Sequence, residues 1–309
     1  MAAARRADYV AFLFRVPFAL DAYRLGFFTG VREDYSLQIQ HEDLDLPVLM
    51  LDNDFRDPDL ERYLEVFETH RPLVGVIGDA DDSDQADELV ATARDLQERL
   101  PGFEPLLVPK CREALERIPE DLVVGYPIGY SDVQARDFSG PADWAGRRIH
   151  ILGGTPPRQW EAIQCLTGCG YHGTTLTDFG DCDPDPQADV VGLDWNGLHR
   201  VAMKGEYWYH QSPHWRPADA CSIRATVRRG LWHIREFRRE RGVWPETTPM
   251  DVLGTAVLDG PLSARYTHCE RCGHRLADPA FELVEYDDGT ARGFCSDSCR
   301  SWLEYHDGL

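Results

Sequence analysis

Three aspartates follow short apolar segments of this sequence, and carboxylates in such positions can act as nucleophiles or as general acids and bases. They are Asp52, Asp79 and Asp194. If the segments are strands of one parallel sheet or barrel, their carboxyl ends converge on one face, and the three side chains can meet there. Each also has a simpler reading, since an aspartate after a strand often caps the next helix.

A glycine pair lies between a short apolar segment and a predicted helix, in the run Arg-Arg-Ile-His-Ile-Leu-Gly-Gly-Thr-Pro-Pro from residue 147 to 157. Gly153 and Gly154 allow close approach of a ligand to backbone, and the prolines favour a helix start directly after them. A strand, a glycine turn and a helix N-terminus together form a common ligand-binding corner of α/β proteins, although an ordinary turn has the same pattern.

Four cysteines near the C-terminus have the spacing of a zinc site. Cys269 and Cys272 are separated by two residues, and Cys295 and Cys299 by three. Four thiolates close a tetrahedral zinc site and leave no open position, so we expect a structural Zn²⁺. His268 and His274 are alternatives for one of the ligands. A hairpin over 281–294 and a short helix from Cys295 to Leu303 are predicted around the site.

A basic segment interrupts an otherwise acidic chain. The net charge is −21, with 53 acidic and 32 basic residues, whereas residues 221–242 contain seven arginines and two glutamates. Apolar residues recur there at helical spacing, so we expect an amphipathic helix. Its arginines either pair with the acidic surface or contact nucleic-acid phosphates. The predicted phosphate contacts are Arg224, Arg228, Arg235, Arg238 and Arg239.

The apolar runs alternate with helical patterns, which indicates an α/β fold with a parallel sheet. The predicted strands are Val10–Val16, Ser36–Gln40, Pro47–Asp52, Leu73–Asp79, Pro105–Lys110, Leu122–Tyr126, Arg148–Gly153 and Asp189–Asp194. The predicted helices are Asp57–His70, Asp84–Leu100, Cys111–Ile118 and Pro157–Leu166. About eight such units in roughly 250 residues predict a (β/α)8 TIM-like barrel. An open doubly wound sheet is the alternative.

The composition predicts a cytoplasmic protein. Only two of the basic residues are lysine, and a surface so acidic and so poor in lysine is interpreted as adaptation to a halophilic cytoplasm. No apolar run is long enough to span a membrane. Nine cysteines, four of them in the C-terminal cluster, fit a reducing compartment with a metal site better than a disulfide framework.

Two parts of the sequence resemble known families. The glycine-loop segment, together with Asp189-Val-Val-Gly-Leu-Asp-Trp-Asn-Gly, resembles the end of the catalytic barrel of tRNA-guanine transglycosylases. It is most similar to the archaeal branch and to the phage and virus relatives that insert 7-deazaguanines into DNA. The cysteine segment Phe-Cys-Ser-Asp-Ser-Cys, which ends at Cys299, resembles treble-clef zinc fingers of the TRASH and FCS type.

The resemblance implies roles for the residues that match. Asp194 would be the nucleophile that holds the ribosyl chain covalently, with Asp52 for acid–base work and Asp79 for the base edge, or these two in exchanged roles. The backbone N–H groups of Gly153 and Gly154 would contact the exocyclic oxygen of a preQ0-type base. The other residues implied in base binding are His150, Lys110 and Asn196.

The chain also departs from the transglycosylase pattern, because Trp195 follows the predicted nucleophile and Asn53 and Asp54 follow Asp52. A catalytically inactive barrel that binds nucleic acid or protein is therefore the alternative function. A metal-dependent hydrolase is disfavoured, since no paired-histidine metal motif occurs. We predict a barrel over 1–219, an arginine-rich helix and linker completing or flanking it over 220–262, and a zinc finger over 263–309. Predicted partners are DNA or tRNA and the free base, and a homo-oligomer is allowed.

Overall fold

The chain forms a closed barrel of eight parallel strands, as the sequence predicts. A computed structural model describes residues 6–13, 18–34, 46–129, 132–168, 187–195, 223–254, 269, 282–285 and 291–307. The strands are β1 (Tyr9–Leu13), β2 (Phe28–Arg32), β3 (Met50–Asp52), β4 (Val74–Ala80), β5 (Glu104–Pro109), β6 (Val123–Pro127), β7 (Arg148–Leu152) and β8 (Asp189–Trp195). They pair in sequence order, and β1 pairs with β8 to close the barrel.

Helices alternate with most of the strands and cover the outside of the barrel. They are α1 (Phe18–Arg24), α2 (Leu60–His70), α3 (Ser83–Arg99), α4 (Arg112–Arg117), α5 (Ala135–Phe138) and α6 (Pro156–Thr167), followed by α7 (Ile223–Glu240) and α8 (Pro249–Leu253). The caps agree with the start signals in the sequence: Asp59 accepts from the Arg62 N–H and Asp82 from the Gln85 N–H. Asp82 is thus a helix cap.

Side chains of the strands alternate between two apolar layers. Tyr9, Ala11 and Leu13 belong to the cluster inside the barrel, whereas Val10 and Phe12 pack between the sheet and the helices. This alternation follows from the two-residue period of a strand, which turns successive side chains to opposite faces. Each strand buried on both faces therefore reads as an apolar run.

The second strand lies at a different place from the predicted one. The chain forms α1 and then β2 at Phe28–Arg32, whereas the predicted strand Ser36–Gln40 lies outside the described residues. The apolar run from Phe27 to Val31 contains Gly30, where an added Cβ would lie 2.8 Å from the Met50 carbonyl oxygen. Close packing against β3 requires glycine at this position. Because glycine weakens the strand pattern, this strand was not predicted from the sequence.

Helix α7 packs beside α1 and α6. Its Leu231 and Ile234 are buried in the layer outside the barrel. Just beyond it, the Val243 carbonyl accepts a hydrogen bond of 3.2 Å from the Ala7 N–H, next to β1. The proposed division at 219/220 and at 262/263 falls outside the described residues. None of the helices that the structure describes is long and apolar enough to cross a membrane.

The C-terminal segment forms the predicted hairpin and helix. Strands β9 (Glu282–Glu285) and β10 (Ala291–Phe294) pair antiparallel, and α9 (Asp297–Asp307) follows. The helix begins two residues later than expected and continues beyond Leu303.

Two described cysteines of the barrel differ in their bonding. Cys165 on α6 is buried and disulfide-bonded. By contrast, Cys111 is a free thiol whose sulfur caps α4 by accepting from the Ala114 N–H at 3.4 Å.

Candidate active site

The three predicted carboxylates meet at the carboxyl end of the barrel. Asp52 ends β3, Asp79 lies one residue before the end of β4, and Asp194 lies one residue before the end of β8. All three line one cavity of about 100 Å³. Parallel strands in a closed barrel bring their carboxyl ends to one rim, so residues far apart in sequence share this cavity.

A buried ion pair stands on one side of the cavity. The Lys110 Nζ lies 3.0 Å from the Asp79 Oδ2, and only 8% of the lysine side chain is exposed. Burial raises the pKa of Asp79, and the neighbouring Lys110 charge acts against that shift. Lys110 thus lies on the cavity, as predicted, and its ammonium favours the ionised form of Asp79.

Asp52 has the most perturbed carboxyl group of the cavity. Burial raises its pKa well above the usual value, and the charges of Asp194, Glu33 and Asp79 raise it further, while Arg32 acts in the opposite direction. A carboxyl group with a raised pKa keeps its proton closer to neutral pH and can serve as a general acid.

Asp194 is held by the glycine turn. It is only 2% exposed, and its Oδ1 accepts a hydrogen bond of 2.5 Å from the Gly153 N–H. The Gln159 Nε2 donates to the Gly153 carbonyl at 2.7 Å and to the Asp194 carbonyl at 2.9 Å. Gln159, in the first turn of α6, therefore joins the glycine turn to β8 behind the carboxylate.

This geometry corrects the role expected of the glycines. The Gly153 N–H is used on Asp194, so it is not aimed at an incoming base. Gly154 is not on the lining of the cavity, and an added Cβ would lie 2.8 Å from the Ile128 side chain. Both have positive φ, 67° and 75°. The pair serves to turn the chain so that one N–H reaches the carboxylate.

His150 also departs from the expected contact with a base. It is fully buried below the cavity and is not on its lining. Its Nδ1 lies 2.7 Å from the Tyr9 hydroxyl, and its Nε2 lies 3.9 Å from the Asp194 Oδ1. Tyr9, Gly192 and His150 are in register across three strands. An added Cβ on Gly192 would collide with both rings, so the glycine allows the pair to meet.

Several cavity residues were not foreseen in the sequence. Arg32, at the end of β2, lines the cavity and donates two hydrogen bonds of 2.6 Å to the Asp34 carboxylate. Phe55 lines the rim and is 40% exposed. Arg32 was missed because the second strand was predicted at the wrong place. Phe55 could have been predicted as a cavity residue, because it is an aromatic residue three positions after the strand-end carboxylate Asp52. Asn196 lies outside the described residues.

Arg238 is not available for nucleic acid. Only 2% of it is exposed, and it donates a hydrogen bond to the Gln159 Oε1. Burial lowers its pKa to about 9, and the Asp194 charge acts in the opposite direction. Counting the charges of this segment did not show that the Arg238 side chain lies on the apolar side of α7. Arg238 instead supports the back of the Asp194 site through Gln159.

The other described arginines of α7 lie at the opposite end of the barrel. Arg235 and Arg239 line a second cavity of about 600 Å³, together with Arg6 before β1 and Arg24 before β2. Residues that precede strands lie at the amino end of a barrel, away from the three carboxylates. The side chains of Arg224 and Arg228, on the first turns of α7, lie outside the described set.

Three of the predicted zinc ligands come together. The sulfurs of Cys269, Cys295 and Cys299 lie within 4.8 Å of one another, and those of Cys295 and Cys299 are 3.5 Å apart. Thiolates on one tetrahedral zinc ion are about 3.8 Å apart, as follows from Zn–S bonds of about 2.3 Å. The group therefore fits one such ion. Cys272, the fourth predicted ligand, and both alternative histidines lie outside the described residues.

Comparisons with known proteins add a family. No curated protein matches the chain. A solved structure that resembles it is described as the X-ray crystal structure of the YdjI aldolase from Escherichia coli K12, with 12% identity and a TM-score of 0.37 over 84% of this chain and 94% of that one. The family model DUF6610, a family of unknown function, matches residues 22–239. Since this is well over half of its length, the chain belongs to the DUF6610 family.

Proposed function

We propose that this protein is a base-exchange enzyme of the guanine transglycosylase type, which inserts a 7-deazaguanine into DNA or tRNA through a covalent link to Asp194. The observation that supports this most is the meeting of Asp52, Asp79 and Asp194 around one cavity at the carboxyl end of the barrel. Such a reaction needs one carboxylate as nucleophile and another that exchanges protons with the base.

The proposed reaction has two displacements. Asp194 attacks the anomeric carbon of a guanosine, and the bond from that carbon to the guanine nitrogen breaks as Asp52 gives its proton to the leaving base. The incoming 7-deazaguanine then returns a proton to Asp52 as its nitrogen attacks the same carbon and releases Asp194. The raised pKa of Asp52 suits the first step, because a higher pKa favours the protonated form that this step requires.

Recognition of the base is assigned to the other side of the cavity. Asp79 can accept hydrogen bonds from the N–H groups of a guanine-like edge, and Lys110 can donate to the exocyclic oxygen beside them. This arrangement gives Lys110 the part first expected of the glycine N–H groups. Phe55, exposed at the rim, offers a flat apolar surface on which a purine ring can stack.

The C-terminal cysteines are proposed to hold a structural Zn²⁺ that joins β10 to α9. Cys269 and Cys299 are buried beside Phe294, so the ion would replace a larger apolar core in a small module. Metal analysis should find one zinc per chain, and Cys299→Ser should lose it while the barrel keeps its circular dichroism. Retention of zinc by that variant would contradict the assignment.

The test of the function is incorporation of a labelled base. The protein is incubated with labelled preQ0 and either guanine-containing DNA or tRNA, at low and at multimolar salt. Wild type is compared with Asp194→Asn and with Asp95→Asn, a control whose side chain is 63% exposed on α3. We expect label in one polymer, a loss of about 10⁴-fold or more in Asp194→Asn, and no change in the control.

The outcome also decides the alternative function. If neither polymer is labelled while both bind, the protein is a catalytically inactive nucleic-acid-binding barrel. If neither polymer binds, a protein partner is the remaining form of that alternative. A cytoplasmic location, a halophilic source and a homo-oligomer remain predictions beside this proposal.

A further inference from the structure

The amino end of the barrel carries a concentration of positive charge. Its cavity of about 600 Å³ is lined by four arginines that come from three segments of the chain, namely Arg6, Arg24, Arg235 and Arg239. The whole chain has a net charge of −21. Four arginines around one cavity therefore stand out against the protein as a whole.

Carboxylates lie near these arginines, and Glu246 and Asp251 line the same cavity. Asp251 is engaged elsewhere, since it accepts hydrogen bonds of 2.8 Å from both the N–H and the hydroxyl of Thr248. Glu246 lies 3.3 Å from Arg6, but its side chain is 82% exposed. In the part of the chain that the structure describes, Arg235 and Arg239 both pair with Glu236, at 2.9 and 3.7 Å. Among the described residues, the four arginines of the lining outnumber these three carboxylates.

We propose that this cavity binds phosphate groups. Guanidinium groups keep their charge at any physiological pH, and their planar N–H forks match the oxygens of a phosphate in pairs. The cavity lies at the end of the barrel opposite to the three carboxylates. It therefore binds a ligand separate from the base at the active site, and the proposal does not depend on the proposed reaction.

Phosphate groups come from free nucleotides or from a polynucleotide backbone, and calorimetry with three probes separates these sources. The probes are inorganic phosphate, a nucleoside monophosphate and a short single-stranded oligonucleotide, at constant ionic strength. The test variant is Arg235→Gln/Arg239→Gln. The control is Arg94→Gln/Arg117→Gln, in which the arginines of two exposed ion pairs on α3 and α4 are changed.

We expect the test variant to weaken phosphate binding by about tenfold or more and the control to leave it unchanged. Tighter binding of the oligonucleotide than of the monophosphate identifies a backbone ligand, and the reverse identifies a nucleotide. Absence of binding of all three probes, or equal binding by wild type and the test variant, overturns the proposal. These titrations contain no free base, so their result is separate from that of the base-exchange assay.

A second inference concerns His150 and rests on the proposed role of Asp194. The His150 Nε2 is fully buried and has no hydrogen-bond partner, yet it lies 3.9 Å from the Asp194 Oδ1. Burial raises the pKa of Tyr9 well above its usual value, so its hydroxyl stays protonated and can donate a hydrogen bond to the His150 Nδ1. A neutral imidazole that accepts at Nδ1 carries its own proton on Nε2.

We infer that His150 is a positioning residue, held by Tyr9 so that its Nε2–H faces the Asp194 Oδ1. The Gly153 N and the His150 Nε2 both face this carboxylate oxygen, at 2.5 and 3.9 Å, and leave the other oxygen to react. Nitrogen-15 NMR of the resting protein should show the Nε2–H tautomer, assigned by its loss in His150→Gln, and Tyr9→Phe should reduce it. An Nδ1–H tautomer in wild type overturns the inference, whatever the protein catalyses.

The catalytic consequence has its own readout. His150→Leu should lower kcat about tenfold or more with little change in KM for the base, and His150→Gln, which keeps a donor, should restore most of the rate. Equal rates for the leucine variant and wild type would contradict the positioning role. If no base exchange occurs, the proposed function is contradicted. The NMR result still tests the orientation of the His150 ring, because the tautomer does not depend on the reaction.

Discussion

The two ends of the barrel use charge in different ways. At the carboxyl end, three carboxylates surround a small cavity, and burial raises the pKa of Asp52 and of Asp79. At the amino end, Arg6 and Arg239 line a larger cavity with more than half of each side chain exposed. The comparison teaches that net charge says little about function, since burial determines whether a charge can do proton chemistry or serve only to attract.

The largest expected effect is on the reaction at the carboxyl end. Asp52→Asn keeps the shape of the side chain but cannot transfer a proton, so base exchange should fall by about 10²–10⁴-fold. Asp8→Asn, an exposed aspartate at the amino end of β1, should leave the rate unchanged. Initial rates of base incorporation measure both, and comparable losses would show that the two ends do not divide the work.

The support beneath the carboxyl end should be sensitive to a single methyl group. Gly192→Ala would force a Cβ into the Tyr9 and His150 rings, so we expect a loss of about 1–3 kcal/mol in the free energy of unfolding. Gly140→Ala is the control, because its Cβ would meet only the Asp143 carboxylate at 3.9 Å. Urea denaturation compares the variants, and a Gly192→Ala protein as stable as the control would contradict the crowding.

Asp52, at the carboxyl end, should make the free energy of unfolding depend on pH. The pKa of Asp52 is raised by folding, so the folded state binds its proton more tightly than the unfolded state does. The stability from this group is complete below the unfolded pKa of about 3.9 and is lost as the pH rises through the folded pKa. Asp52→Asn should therefore be more stable than wild type at pH 7, by roughly 1–3 kcal/mol.

That gain should shrink as the pH falls toward the unfolded pKa, because wild-type Asp52 then becomes neutral in both states. Denaturation curves at several pH values between 5 and 8 measure the difference. A gain that stays constant over this range would show that Asp52 is not responsible for it.

The smallest expected effect is at the amino end. Arg6 and Glu246 form an ion pair at 3.3 Å with side chains that are 56% and 82% exposed. Glu246→Gln should change the free energy of unfolding by at most about 1 kcal/mol, and the change should vanish at high salt because exposed charges are screened. A larger or salt-independent effect would place this pair in a more enclosed setting than the structure does.

The sequence predicted the barrel well because strand ends in this fold follow from local patterns. Seven of the eight strands lie where apolar runs indicated, and the strand-end aspartates came together because barrel topology leaves them one rim. The second strand shows where prediction from apolar runs fails. Gly30 is needed for close packing on Met50, and it weakens the apolar pattern of that strand.

The finer geometry of the site was not predictable. Helical spacing from Leu231 and Ile234 places Arg238 on the apolar face of α7, but it does not reveal the partner Gln159. Arg239, one residue later, is 57% exposed. The hydrogen bond of the Gly153 N–H to Asp194 depends on how β7 and β8 are placed side by side. Such contacts arise from packing between distant segments, which residue types and spacing do not record.

The closure of the barrel also sets an order of events during synthesis. Strand β1 pairs with β2 on one side and with β8 on the other, so one of its edges stays unpaired until the ribosome has made Trp195. At about 5–20 residues per second, this exposure lasts on the order of ten seconds or more. An open strand edge invites pairing with other chains, which makes the nascent protein vulnerable during that interval. Asp194 lies on the last strand to arrive, and the cavity is therefore completed only when the barrel is.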